Sequence, residues 1–381
     1  MDSKTFCVLP WVHSCTRPNE TFRPCCRFRG DLDFTLDDVQ SKGIEAMNSE
    51  RANSIRSKML KGERVEGCET CYKEEDSPNR VKPSMRLFLN KRFGHAVKDR
   101  VLDNKYLKTH YMEIALDNIC NLECRMCTSF FSTKLRKRDQ YLNNMGLGYD
   151  VHKKQEGSWH KYNSTDLSSL SYVKVLGGEV FKTPNFQPFL EWLDEKAGLE
   201  NISMEVATNG TGLPSPRVSD MLYRLKHFNI NLSLDAAHPV NDYQRQGSHW
   251  QTTINNGKLL EKMFSKNVYF SVHLSESILT VAHLSTTLHT LDKLGWGYTV
   301  GWVHQPYELD PLHCPDSVKQ WIFDSNRDHT KALDIVTNHF KTHKYNKRVW
   351  EDLDNHVTLL DDYYNVKLAD YDPTLAQHLG V

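Results

Sequence analysis

Between residues 108 and 305, short apolar runs of strand length alternate with amphipathic stretches of helical period, and this alternation restricts the fold of the 381-residue chain more than any other feature. The strand candidates are Tyr111–Leu116, Tyr172–Leu176, Ile202–Ala207, Ile230–Leu234, Val268–Val272 and Tyr298–Val303. Helical stretches between them include Asn185–Lys196, Arg217–His227, Trp250–Ser265 and Val281–Leu294, with Pro184 and Pro216 placed where a helix can begin. Repeated βα units imply a parallel sheet, because parallel neighbours need a crossover and the crossover is usually a helix. Six strands fall short of the eight in a closed barrel, so the expected fold is α/β, a partial (β/α)6 TIM-like barrel.

The flanks differ in character. Residues 1–75 are rich in cysteine and poor in long periodic segments, apart from a helix predicted over Ile44–Lys61. So short a segment buries little apolar surface, which suggests a small module stapled by metal. Residues 76–107 read as a connector, 128–171 as an insert after the first strand, and 306–381 as a helical extension with helix predicted over Ser317–Lys344. The charged run KLRKRD at Lys134–Asp139 reads as a solvated helix face.

Lys and Arg total 48, as do Asp and Glu, so no global field favours nucleic acid. The N-terminal MDSKTFCVLPWVHSC lacks a basic segment followed by a long apolar run. No apolar stretch approaches the ~18–20 residues that span a bilayer. A cytoplasmic protein is expected, and in a reducing cytosol ten cysteines point to metal ligation or catalysis rather than disulfides.

Three of those cysteines lie in Cys120-Asn-Leu-Glu-Cys124-Arg-Met-Cys127, directly after the first predicted strand. A loop there opens on the face where α/β barrels carry their chemistry. Three thiolates can each hold one iron of a cuboidal cluster and leave the fourth iron open, as catalytic metal sites keep a free position. Zinc binding is the plainer alternative.

Cys-x3-Cys-x2-Cys after a first barrel strand resembles the radical SAM superfamily, with Met126 where that family usually has an aromatic residue. The resemblance implies a 4Fe-4S cluster on Cys120, Cys124 and Cys127. S-adenosylmethionine chelates its free iron and is reductively cleaved to methionine and a 5′-deoxyadenosyl radical that takes hydrogen from substrate. Gly177-Gly178-Glu179 after the second strand resembles the family's GGE motif, which meets the SAM ammonium group. Ala207-Thr208-Asn209-Gly210-Thr211 and Ser233-Leu234-Asp235 resemble segments of peptide-modifying members, in which the serine contacts SAM. Arg245 matches the arginine that pairs with the SAM carboxylate, a planar fork suited to that task. Asn209, Ser233, Asp235 and Arg245 are therefore candidate cofactor contacts, and turn formation, strand-end capping or a surface ion pair are the alternatives.

The N-terminal cysteines resemble the SPASM or twitch modules that carry auxiliary clusters, although these usually follow the barrel. Cys7, Cys25, Cys68 and Cys71 are the preferred ligands of an auxiliary 4Fe-4S cluster, with Cys26 a substitute for Cys25 and Cys15 and His13 in reserve. A tetrahedral zinc ion suits the same donors. Cys314 reads as a buried thiol, and His273 and His304 as core histidines. The function implied is radical modification of a peptide or protein by dehydrogenation, crosslinking or epimerisation, with a flavodoxin or ferredoxin as electron donor. The alternatives are a radical SAM dehydrogenase or epimerase acting on a sugar, nucleoside or other small molecule, and a non-catalytic zinc-binding interaction protein.

Overall fold

The computed structural model describes residues 4–77, 83–98, 102–155, 157–264 and 268–381. Its strands are β1 (His13–Thr16), β2 (Phe22–Arg23), β3 (Tyr111–Ala115), β4 (Glu123–Cys124), β5 (Tyr172–Leu176), β6 (Ser203–Thr208), β7 (His227–Ser233), β8 (Arg245–Gln246), β9 (Val268–Glu276) and β10 (Gly297–Trp302). Eight of them form one sheet in the order β10-β9-β7-β6-β5-β3-β1-β2. The six strands expected from the sequence run from the edge strand β10 to β3 and are all parallel. The ends, β10 and β2, do not pair, so the barrel is open.

Alternation along each strand sorts the two faces. Met112, Ile114, Val173, Val175, Met204, Val206, Ile230 and Leu232 turn outward into the main core with Phe189, Leu190, Leu222, Leu260 and Leu288 of the crossover helices. The inward face is polar. Lys174 of β5 bridges towards Glu113 of β3 and Glu205 of β6, and Glu205 accepts from Asn231 of β7, which accepts in turn from Ser271 of β9.

β1 lies parallel against β3, and β2 turns back along β1, so the cysteine-rich segment extends the barrel wall by two strands. His-Ser-Cys-Thr is too short and polar to announce a strand, and its partner lies about a hundred residues away. Arg56, fully buried, fastens the segment by donating to the carbonyls of Pro10, Met47 and Asn104. The expected helix over Ile44–Lys61 is broken: a 3-10 turn at Gly43–Asn48 precedes the helix Glu50–Leu60, which Ser49 caps by accepting from the Ala52 amide.

Of the expected connector, residues 78–82 and 99–101 lie outside the described residues. Its remainder holds the helix Met85–Phe93, whose Phe93 stacks on Tyr111 and closes the amino end of the inward face. The helix expected over Trp250–Ser265 runs Trp250–Met263, Ser265 being outside the described residues. Ser317–Lys344 is two helices, Asp316–Ser325 and Thr330–Phe340, followed by the long helix Lys347–Tyr364. Among the described residues no helix is long and apolar enough to cross a membrane.

Candidate active site at the carboxyl ends of the strands

Because the central strands are parallel, the segments that follow β3, β5, β6 and β7 meet along one rim. The loop carrying Cys120, Cys124 and Cys127 leaves β3 there. Its middle forms β4, which pairs antiparallel with β8 and sets Cys124 opposite Arg245. The Cys127 amide donates to the Cys124 carbonyl at 3.0 Å, turning the loop back on itself.

Two buried arginines hold this loop. Arg138 donates to the carbonyls of Cys124 and Cys127, at 2.9 and 2.5 Å, and pairs with Asp139, whose carboxylate also accepts from the Ser129 amide. Arg125 donates to the Tyr243 carbonyl and to Asp361 of the C-terminal extension. The solvated face expected for Lys134–Asp139 is thus corrected: Arg138 and Asp139 are fully buried, because the loop's carbonyls need donors. Sequence reasoning did not single out Arg125 or Arg138. The available signal was an arginine between two ligand positions, and an Arg-Asp pair on an otherwise solvated helix.

The glycines after β5 face the same loop. Gly177 has φ +130°, and a Cβ there would strike the Asp117 carbonyl oxygen, while one at Gly178 would overlap that of Ile119. The pair lets the chain approaching Cys120 pass in contact, and the Glu179 amide donates to the Ile119 carbonyl at 2.8 Å. The Glu179 carboxylate is fully engaged: Oε1 accepts from the Thr208 hydroxyl and the Phe181 amide, and Oε2 from the Asn209 amide. Burial raises its pKa.

Asn209 reaches the loop itself, its Nδ2 lying 3.0 Å from Asn121 Oδ1 and 3.9 Å from Cys120 Sγ. Asp235 is buried and accepts from Arg245, Gln244 and the Ser275 amide, so Arg245 is held between that carboxylate and Cys124. Ser233 ends β7, paired in register with His273.

Burial pushes all three loop thiols up, Cys127 to about 11, while Arg245 draws Cys124 and Arg138 draws Cys127 back towards ionisation. Among the described residues, the sets of His, Cys, Asp or Glu ligand atoms all within 4.8 Å of one another are His13–Cys15–Glu113 and His238–His283–Asp372, not these cysteines. A tetrahedral zinc ion with bonds of ~2.3 Å would hold its sulfurs about 3.8 Å apart, whereas ligands on different irons of a cluster stand farther from one another.

A second thiol group lies in the N-terminal region. Cys7, Cys25, Cys68 and Cys71 line one small cavity of about 30 Å³, with Phe28 and Arg86 in its wall. Burial raises Cys7 and Cys68 to about 12. Cys26 does not line this cavity and instead stands beside Glu113 and Lys174. Cys314 is buried, but His273 and His304 are exposed rather than core histidines: His273 bonds Thr299 on the inward face, and His304, just beyond β10, bonds Asp310.

No protein-family model and no curated protein matches the chain. Among solved structures it is similar to anSMEcpe with bound AdoMet, at 16% identity and TM-score 0.41 over 60% of this chain and 62% of that one. It is also similar to Streptococcus suis SuiB bound to S-adenosylmethionine, at 13% identity and TM-score 0.40 over 83% of this chain and 66% of that one. SuiB bound to precursor peptide SuiA aligns at 14% identity and TM-score 0.35, over 91% and 70% of the two chains. The chain thus spans less than two thirds of the anSMEcpe structure's length.

Proposed function

We propose that this chain is a radical SAM enzyme, with its catalytic 4Fe-4S cluster on Cys120, Cys124 and Cys127 and an auxiliary 4Fe-4S cluster on Cys7, Cys25, Cys68 and Cys71. The observation that carries the reading is the loop after β3. Three thiols sit on the carboxyl rim of an open parallel barrel, with Cys124 paired in register with cationic Arg245. The donors fit the group: all are sulfur, two arginines favour their ionised form, and three ligands leave one iron free.

When bound, such a cluster supplies the electron that cleaves the SAM sulfonium, and the resulting 5′-deoxyadenosyl radical takes a hydrogen atom from substrate. The protein's own part is positional. Arg138 and Arg125 hold the loop through its carbonyls, and Gly177 and Gly178 let it lie against β5. Arg245, fixed by Asp235, presents a guanidinium to the rim for the SAM carboxylate. Glu179 acts by holding the β5 and β6 ends together, leaving the main chain of this turn to meet the SAM ammonium group.

The substrate proposed is a peptide or protein, a class suggested by the segments at Ala207–Thr211 and Ser233–Asp235. The donors and acceptors of Lys174, Glu205, Asn231 and Ser271 on the inward face suit a polar main chain. A flavodoxin or ferredoxin would supply electrons. After anaerobic reconstitution the protein should carry about eight irons and release 5′-deoxyadenosine from SAM under reduction. Cys124→Ala should abolish that release; a variant that still cleaves SAM would contradict the ligand assignment.

A further inference from the structure

We propose that the inward wall of the barrel carries a third, mononuclear metal site for a zinc-class divalent ion, with His13 Nε2, Cys15 Sγ and the Glu113 carboxylate as its protein ligands. The three ligand atoms lie within 4.8 Å of one another, and all three residues are buried. Strand geometry creates the set. His13 and Cys15 are two residues apart on β1 and so share a face, and Glu113 stands directly opposite Cys15 in the parallel register with β3.

The polar atoms turned into this space are poorly satisfied: Glu113 has Lys174 Nζ at 4.0 Å and the Cys15 and Cys26 thiols beside it. His13 Nε2 and both Glu113 oxygens are buried without a hydrogen-bond partner, which native structures seldom tolerate. A proton does not resolve the pair, because Nε2 stands 3.7 Å from Glu113 Oε2, beyond hydrogen-bonding distance. The other ring nitrogen is already committed: His13 Nδ1 lies 3.0 Å from the Pro24 carbonyl oxygen, which requires Nδ1 to carry the hydrogen and turns the Nε2 lone pair towards Glu113. Stacking on Tyr111 at 4.1 Å fixes the ring plane. A carbonyl on the far nitrogen is the usual support of a metal-binding histidine. Lone pairs of nitrogen, sulfur and two carboxylate oxygens converge, and a cation among them removes the conflict.

The charges also close. A divalent ion with one thiolate, one carboxylate and a neutral imidazole is neutral, and nearby Lys174 is balanced by Glu205 at 3.0 Å. Binding would release the Cys15 proton to solvent. Nitrogen, oxygen and sulfur in one set suit zinc better than a cluster of iron and sulfide. Three protein ligands leave a coordination position free, as in catalytic rather than structural zinc sites. Exposed Cys26, beside Glu113, marks the open side.

The full-length protein, with its iron reconstituted anaerobically, should be equilibrated with zinc, desalted, and assayed for both metals and for zinc X-ray absorption. The expected result is one zinc per chain, with a single sulfur at about 2.3 Å and nitrogen or oxygen ligands at about 2.0–2.1 Å. Glu113→Gln and Cys15→Ser should each lower retained zinc at least tenfold while leaving iron content and SAM cleavage in place, which also reports that the variants fold. Cys26→Ser should keep its zinc. No retained zinc in the parent protein, an all-sulfur zinc shell, or full zinc occupancy in Cys15→Ser would overturn the site. Failure of the radical reading shows separately, as missing iron or missing 5′-deoxyadenosine.

Discussion

Replacing Arg138 with methionine should unseat the proposed cluster loop while keeping the aliphatic bulk of the side chain. The guanidinium is fully buried and serves three acceptors at once: the carbonyls of Cys124 and Cys127, and Asp139. Removal leaves the Asp139 charge with only the Ser129 amide, at 2.6 Å. Breaking a buried pair on one side costs about 3–5 kcal/mol, and each orphaned carbonyl adds up to ~1–3 kcal/mol, not additively. Against a typical stability of ~5–15 kcal/mol this is a large fraction. At ~2–4 °C per kcal/mol, the scale for domains of ~150–250 residues, the thermal midpoint of the reconstituted protein should fall by roughly 6–20 °C. Iron bound at the three-cysteine site should fall with it. The double variant Arg138→Met, Asp139→Asn removes the stranded charge as well, so its loss should be smaller than the sum of the two single losses by ~0.5–3 kcal/mol. A shift under about 2 °C for Arg138→Met, or a strictly additive double variant, would refute this reasoning.

Other perturbations probe different parts of the molecule. Gly178→Ala places a methyl on the Ile119 carbonyl oxygen, so the chain leading to Cys120 must move; iron at that site and 5′-deoxyadenosine yield should both drop at least tenfold, whereas Gly94→Ala, with open space around it and an ordinary backbone, should leave both unchanged. Glu276 is buried, with one oxygen accepting from Thr280 and the other unpartnered. Burial, and then the charge of Asp235, holds its pKa well above the usual carboxylate range. Below the unfolded pKa both states are protonated and the group is neutral in its effect. Above it the unfolded carboxyl ionises first, so stability declines with rising pH until the folded pKa is passed. Glu276→Gln should therefore raise the thermal midpoint more at pH 8 than at pH 5, and the reverse order in paired melts would count against it.

The central strands were legible because each carries Val, Ile or Leu on the side that meets a helix, a pattern that survives without knowledge of the partner. The rim residues could be read for the same reason, since a motif that ends a strand in a parallel sheet falls on one edge. β1 was not legible: four residues containing His13 and Cys15 have no apolar run, and only pairing with β3 makes them a strand. Arg138 was misread because charge along a helix indicates solvent unless the carbonyls it will serve are known, and those belong to a loop eleven to fourteen residues earlier. The inward-facing Glu113 gave no signal at all, its ligand-like neighbours lying about a hundred residues away in β1.

The most direct test of the account uses the variant Cys68→Ala, Cys71→Ala, which leaves the three-cysteine loop as the intact cluster site. Electron paramagnetic resonance of its reduced cluster, recorded with and without SAM, should show the signal change on addition, with 5′-deoxyadenosine accumulating at the same time. A cluster that is present and reduced, yet spectroscopically indifferent to SAM and without product, would contradict the claim that the loop leaves one iron free.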